Sequence, residues 1–198
     1  YFCGIYIYSP NSNVNVYHNS VYLYRTSSGT TYGSCIFPYN TNTSYVIDLK
    51  NNNLGTSISS GTSQYLYPLY ISSSTYGGTS YCTRDYNNYY NANNSTIAYT
   101  GGDRTLLTLQ TAHSQDAYSV NVSPSYLNIN NSLELTATGN SGITCPLLMN
   151  VLTDLRKNVR SATTYMGCYE PFTLDAAIDT ASGTPNYVPS YQMVSLSS

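Results

Sequence analysis

Charge is the scarcest commodity in this sequence. Of 198 residues, seven are Lys or Arg and nine are Asp or Glu, and the formal net charge is −2. Charged residues make up 8% of the chain, against roughly 25% in ordinary soluble proteins. So few cations exclude a basic face for nucleic acid and a polybasic segment for anionic lipid. No apolar run reaches the ~18 residues that a membrane span needs. Trp is absent, Phe occurs three times, and the two His stand far apart with no triad-like spacing. Both His are expected on the surface or in turns. There is no phosphate-binding glycine loop, no Cys-x-x-Cys and no His-Glu-x-x-His, so the sequence implies no cofactor and no metal. With Tyr rather than Met at position 1, the expectation is a processed mature protein or a piece of a longer one.

Tyr, Asn, Ser and Thr fill the space that charge leaves. The chain has 24 Tyr. Tyrosine joins a large apolar ring to a polar edge and suits half-wet contact surfaces. A narrow core cannot take them all, so at least half should point outward. Few Lys and an Asn-Ser-Thr surface suggest an exported protein.

A repeat orders this material. Val14–Tyr22 aligns with Ile47–Gly55 and with Cys82–Tyr90, and the matched asparagines Asn19, Asn52 and Asn87 are 33 and 35 residues apart. The Ser-Ser-Gly-Thr marker at 27–30 recurs at 59–62. A fixed period of this size means stacked units that bury their apolar faces against one another. Short β-branched and aromatic runs, broken by Asn and Gly, make the units strands rather than helices. Asn tolerates left-handed backbone at a sharp corner, and its amide can bond to the Asn one coil above. Asn19, Asn52 and Asn87 are therefore expected as a column at one corner, with Val14, Val16, Ile47 and Leu49 pointing inward. Residues 1–102 read as coils, 103–170 as final coils and a cap, and 171–198 as a tail holding one more candidate strand. A short helix is expected over Arg104–Ala112, with Leu106, Leu107 and Leu109 on its buried side.

Five cysteines leave at least one unpaired. Cys3 and Cys35 are one repeat apart. Stacked strands would bring them to about 4.8 Å, within disulfide range. Two reduced, buried cysteines fit the same spacing. Cys145 and Cys168 are a second candidate pair.

Several phrases resemble the right-handed parallel β-helix proteins secreted by bacteria of the Bacteroidetes type. The coil repeats of the first hundred residues are similar to theirs. Ser114–Val120 with Pro124 and Leu127 resembles the segment that follows their coils. Thr153-Asp154, Arg160–Thr163 and Gly167-Cys168-Tyr169-Glu170 resemble their closing phrase. Cys168 stands where that family usually has Ala, and Arg156-Lys157-Asn158 replaces a Gly. The resemblance covers about Asn13 to Glu170. It implies an all-β, right-handed parallel β-helix (a solenoid) with an irregular C-terminal cap and tail. For function it is broad, because such proteins include polysaccharide lyases, adhesins and unassigned repeat proteins.

The acids are scattered. Asp48 and Asp85 fall near one coil phase, but solvated or turn-bonded roles suit each better than a catalytic pair, and Arg84-Asp85 reads as a local ion pair or as a cap to a turn. Asp154, Arg160 and Glu170 are expected as a buried network tying the cap to the last coil. Asn42, Asn93, Asn94, Asn121 and Asn130 match the glycosylation pattern, which also arises by chance in so Asn-rich a chain. The aromatic run Ile5-Tyr6-Ile7-Tyr8 and the tail with Tyr187 and Tyr191 are candidate assembly strands. The expectation is a non-enzymatic structural or adhesive protein of a bacterial cell surface or extracellular filament, partnered by itself and by glycans. Its alternative is a β-helix protein that binds or cleaves polysaccharide.

Overall fold

The computed structural model describes residues 2–8, 11–26, 32–39, 44–59, 65–72 and 81–171. Asn42, the marker at 27–30, and Tyr187 and Tyr191 of the tail lie outside them.

Strands recur in threes. The first round is β1 (Phe2–Tyr8), β2 (Val14–Tyr17) and β3 (Ser20–Arg25); the second is β4 (Gly33–Tyr39), β5 (Ile47–Lys50) and β6 (Asn53–Ile58). The third is β7 (Leu66–Ile71), β8 (Cys82–Asp85) and β9 (Asn88–Asn91), and β10 (Ala98–Thr100) opens a fourth. Each strand pairs in parallel with the strand three places on, giving the orders β1-β4-β7-β10, β2-β5-β8 and β3-β6-β9. The fold is mostly β, with parallel sheets. Such pairing stacks like on like every ~4.8 Å, which explains why residue types recur at the period of a round.

The three sheets close on a common core. Val16, Ile36, Ile47, Leu49, Leu54, Leu69, Ile71, Tyr89, Ile97 and Ala98 are buried in one cluster, with Val14 packed against it. The helix α1 (Leu106–His113) adds Leu109 to that cluster. It starts one or two residues later than its sequence suggests, because Thr105 caps it through a reciprocal bond with Thr108. Leu107 is exposed rather than buried, since only residues three or four apart share a helix face.

The corner between the second and third strand of each of the first three rounds has two residues. The first is left-handed: His18 (φ 54°), Asn51 (φ 57°) and Tyr86 (φ 53°). The second is the column asparagine. The left-handed residue thus precedes the Asn column instead of belonging to it. The column asparagine replaces a missing ladder bond: Asn19 N–H donates to Asn52 Oδ1 at 3.0 Å, and Asn52 N–H to Asn87 Oδ1 at 3.1 Å. Strand pairing lapses at the corner, so a side-chain carbonyl has to take over.

The two ends of the stack differ. At the far end β10 pairs with the antiparallel β11 (Asp103–Arg104). Over β8, Asp116 N–H donates to Arg84 O, and over β9, Tyr89 N–H donates to Val120 O. With α1 and β10 these segments cover the third round. At the near end β1, β2 and β3 are each the outermost strand of their sheet among the described residues.

Residues 126–171 form a small lobe. The hairpins β12 (Tyr126–Asn128) with β13 (Ser132–Leu135), and β14 (Thr144–Pro146) with β15 (Thr163–Tyr165), enclose Leu135, Ile143, Cys145 and Met166. The lobe docks on the flank of the first two rounds. Gly167 N–H donates to Asn51 O at 2.7 Å, Cys168 N–H to Ser20 Oγ at 3.0 Å, and Asn51 Nδ2 to Pro146 O at 2.8 Å. Gly167 sits at φ 106°, and a Cβ there would lie 2.4 Å from Ser20 Oγ, so this contact requires glycine.

Candidate functional site: an aromatic face

The sheet β1-β4-β7-β10 carries aromatic side chains in register along the stack. Tyr6 opposes Phe37, and Tyr70 opposes Tyr99. Their ring centroids step by 5.1 Å (Tyr6–Phe37), 4.9 Å (Phe37–Tyr70) and 4.9 Å (Tyr70–Tyr99). Tyr8 stacks on Tyr39 at 5.5 Å beside this row, and Tyr32 stacks on Tyr65 at 4.6 Å. Neighbouring columns Ile5-Ile36 and Leu69-Ala98 turn inward, so period-two alternation puts the rings outside. Ring pairs of this kind stabilise by about 0.5–1.5 kcal/mol beyond their buried area.

Between the two sets of rings lies an open cleft of about 440 Å³, lined by Tyr32, Tyr65, Tyr67, Tyr70, Tyr99 and Asp103. Tyr67 is buried, and its hydroxyl donates to Asp103 Oδ1 at 2.7 Å. Burial first, and then the Asp103 carboxylate, push the Tyr67 phenol well above its ordinary range. Tyr67 therefore stays a neutral donor and holds an exposed carboxylate at the cleft wall. Among the described tyrosines only Tyr67 and Tyr89 are buried.

The Asn column is a structural device. Asn19 Nδ2 donates to Asn52 Oδ1 at 3.0 Å and Asn52 Nδ2 to Asn87 Oδ1 at 2.9 Å. The same amides reach back to the preceding round, from Asn52 to Val16 O and from Asn87 to Leu49 O, both at 2.8 Å. Ser119 Oγ, accepting from Asn87 N–H, ends the column. A second ladder, Asn53 to Asn88, runs beside it.

One buried ion pair escapes a reading of the sequence. Arg84 stands in the inward column of Val16 and Leu49 and pairs with Asp116 at 2.9 Å, both side chains at 0% exposure. Asp116 also accepts from Tyr89 Oη and Ser119 Oγ, each at 2.9 Å. Burial pulls the Arg84 pKa down, but Asp116 more than offsets it and raises it overall. Arg84 and Asp85 are therefore not a local pair: adjacent strand residues point to opposite faces. Asp85 is instead a turn cap, the other expectation: its Oδ1 accepts from the N–H of the left-handed corner residue Tyr86, and from Tyr118 N–H. Asp48 is engaged by Tyr17, Lys50 and Thr83. Burial opposes its charge, yet these three bonds leave its pKa lowered. Both acids have local duties, and among the described residues no His, Cys, Asp or Glu gather into a metal-binding group.

His18 is a turn residue but not a surface one. It is 4% exposed, with Nε2 3.0 Å from Asn51 Nδ2. Burial, and after it Arg160, hold its pKa down at about 4. His113 is partly buried against Thr100. Arg160 bonds Glu170, Thr164 Oγ1 and Gly167 O, while Asp154 accepts from Asn158 N–H and Glu170 N–H. The three cap residues thus join one network. Its hydrogen bonds reach the first and second rounds, where Gly167 and Cys168 dock beside Asn51 and Ser20, while the core of the lobe also packs against Tyr86 and Val120 at the far end.

All five cysteines are free. Cys3 opposes Ser34, so Cys35 lies one place on and faces the core, where its Sγ donates to Gly55 O at 3.0 Å. The Cys3–Cys35 disulfide is therefore corrected by a one-residue register difference. Cys145 and Cys168 form no bond either, and burial pushes the Cys145 thiol up to about 12. Asn93, Asn94, Asn121 and Asn130 are exposed. Asn93, however, exchanges two hydrogen bonds with the Ile58 backbone, at 2.7 and 2.8 Å. Ile5, Tyr6, Ile7 and Tyr8 lie on the outermost strand β1.

No protein-family model, curated protein or solved structure matches the chain. Among the described residues no helix is long and apolar enough to cross a membrane.

Proposed function

We propose that this chain is a right-handed parallel β-helix module of a secreted, non-enzymatic structural or adhesive protein. It continues coil on coil with copies of itself, in an extracellular filament or surface layer of a bacterium. The strand orders, stepping by three in each of three parallel sheets, support the β-helix. The strong preference of parallel crossovers for one hand supports the right-handed sense. The contrast between the ends carries the assembly: the far end is covered, whereas among the described residues nothing pairs with the outer edges of β1, β2 and β3. The Asn column favours the same reading, since its repeating amide geometry suits another round added at Asn19.

Negative-stain microscopy and sedimentation of the whole chain test this. Concentration-dependent rods are expected, and Tyr6→Lys with Tyr8→Lys on the edge strand shortens or removes them. Deleting residues 1–8 or 187–198 is expected to do the same while the rest stays folded. A chain that stays strictly monomeric at high concentration overturns the reading.

The aromatic face favours a second reading, that the module binds polysaccharide. Titration with oligosaccharides tests binding. Release of unsaturated sugars, lost on Asp48→Ala or Asp85→Ala, would replace binding with cleavage.

A further inference from the structure

The cleft beside Asp103 has a more specific chemistry than an aromatic face alone. Its walls come from five tyrosines on three successive rounds and one carboxylate. Three features decide what fits. The first is shape. The Tyr32–Tyr65 pair, 22° from parallel, and the Tyr70–Tyr99 pair, 9° from parallel, stand in ring-on-ring contact. Each ring has a face covered by its partner, so the cleft meets extended aromatic walls with phenolic hydroxyls at their rims. The second is charge. Among the described residues Asp103 is the only acid in the lining, and the neighbouring Arg104 directs its Nε to Thr100 Oγ1 at 3.1 Å. The third is order. Tyr67 engages Asp103 Oδ1 and fixes the carboxylate, leaving Oδ2 as an acceptor at an exposed position.

A ligand for this cleft needs apolar patches for ring surfaces and hydroxyl donors for the carboxylate. An acidic chain is disfavoured, because its carboxylates would meet Asp103 with no cation among the described lining residues to offset the repulsion. A quaternary ammonium is also disfavoured: it needs ring faces converging from several sides, and these rings turn faces to each other. A neutral sugar chain satisfies all three conditions, with its C–H faces on tyrosine and its hydroxyls on Asp103. We propose that the cleft of Tyr32, Tyr65, Tyr67, Tyr70, Tyr99 and Asp103 is a binding site for a neutral glycan chain lying along the stack, and that it selects against uronate polymers. This site rests on the polysaccharide-binding reading and narrows it.

Calorimetric titration of the whole chain tests the site, with cellohexaose, mannohexaose, hexagalacturonate and choline as probes. At least one neutral hexamer is expected to bind, and neither hexagalacturonate nor choline. Tyr65→Ala and Asp103→Ala, both at exposed positions and checked for an unchanged circular-dichroism spectrum, are expected to weaken neutral binding by about tenfold. Asp103→Asn is expected to keep part of that binding and to admit hexagalacturonate. Tyr118→Ala, which removes a stacked ring pair with Tyr86 outside the cleft, is expected to change nothing. If a hexamer binds but the cleft variants leave its affinity alone, or if Tyr118→Ala costs as much, the site is wrong while glycan binding stands. If no hexamer binds, both fall. Preferential binding of hexagalacturonate or choline overturns the selectivity.

Discussion

The two ends of the stack solve one problem in opposite ways. Every parallel sheet ends in a row of unpaired backbone groups and an uncovered core. At the far end the chain supplies an antiparallel strand, a capped helix that buries Leu109, and the buried Arg84–Asp116 pair. At the near end, among the described residues, it supplies nothing over the edge and instead fastens a lobe to the flank. The far end invests in covering; the near end invests in keeping its corner square. The difference teaches that closing a stack and holding it in register are separable tasks.

The largest test of that contrast is the buried pair. Asp116→Ala leaves Arg84 charged in an apolar column and should cost about 3–5 kcal/mol, read as a lower urea midpoint. Arg84→Met combined with Asp116→Leu should recover much of the loss. If Asp116→Ala alone is mild, the pair does not hold the far-end cover.

Acid tests the near end. The folded His18 ring has its pKa lowered to about 4, against 6.5 ordinarily, chiefly by burial. The unfolded chain therefore takes up the proton first. Stability present above pH 6.5 is lost as pH falls towards 4, by about 2–3 kcal/mol. Melting temperatures of the parent and of His18→Asn, compared from pH 7 to pH 4, should converge as the pH falls. Parallel curves would mean that His18 is not the group that titrates.

The Asn column allows the same substitution at two depths. Asn52→Ala strands partners on both sides and should cost about 2 kcal/mol, whereas Asn19→Ala, at the outermost rung, should cost about 1. Equal urea midpoints for the two would show that depth in the column does not matter. Smallest of all is Tyr8→Ala, which removes exposed ring contacts with Tyr39 and Tyr6 and should cost about 0.5–1 kcal/mol in the same assay.

The Asn column and the inward Val16, Ile47 and Leu49 are legible in the sequence because one residue type recurs where one geometry recurs. The cysteine register is not. Cys3 opposes Ser34, an offset of 31, while Asn19 stacks with Asn52, an offset of 33. Sheets on different sides of the stack count different intervals, so a spacing measured at the corner does not transfer to β1. Arg84 stayed hidden for a related reason. Its neighbour Asp85 offered an obvious partner, and only the column shared with Val16 and Leu49 reveals that it faces inward. The Asp103 cleft joins residues from three rounds and has no local motif at all. The docking of the lobe depends on Gly167 and Ser20, about three-quarters of the chain apart, and nothing local announces it.

The corners of the rounds have one more consequence. Between β2 and β3, β5 and β6, and β8 and β9 the chain always uses two residues, whereas the connections from β1 to β2, β4 to β5 and β7 to β8 lengthen steadily. The corner therefore works as a ruler and the connection from the first to the second strand as slack. Residues added to the slack leave every rung aligned, while a single residue added at Asn51-Asn52 would throw each later rung out of step. Length variation between relatives of such a chain should accumulate beside the aromatic sheet, where it reshapes the surface, and spare the corner that measures the rounds.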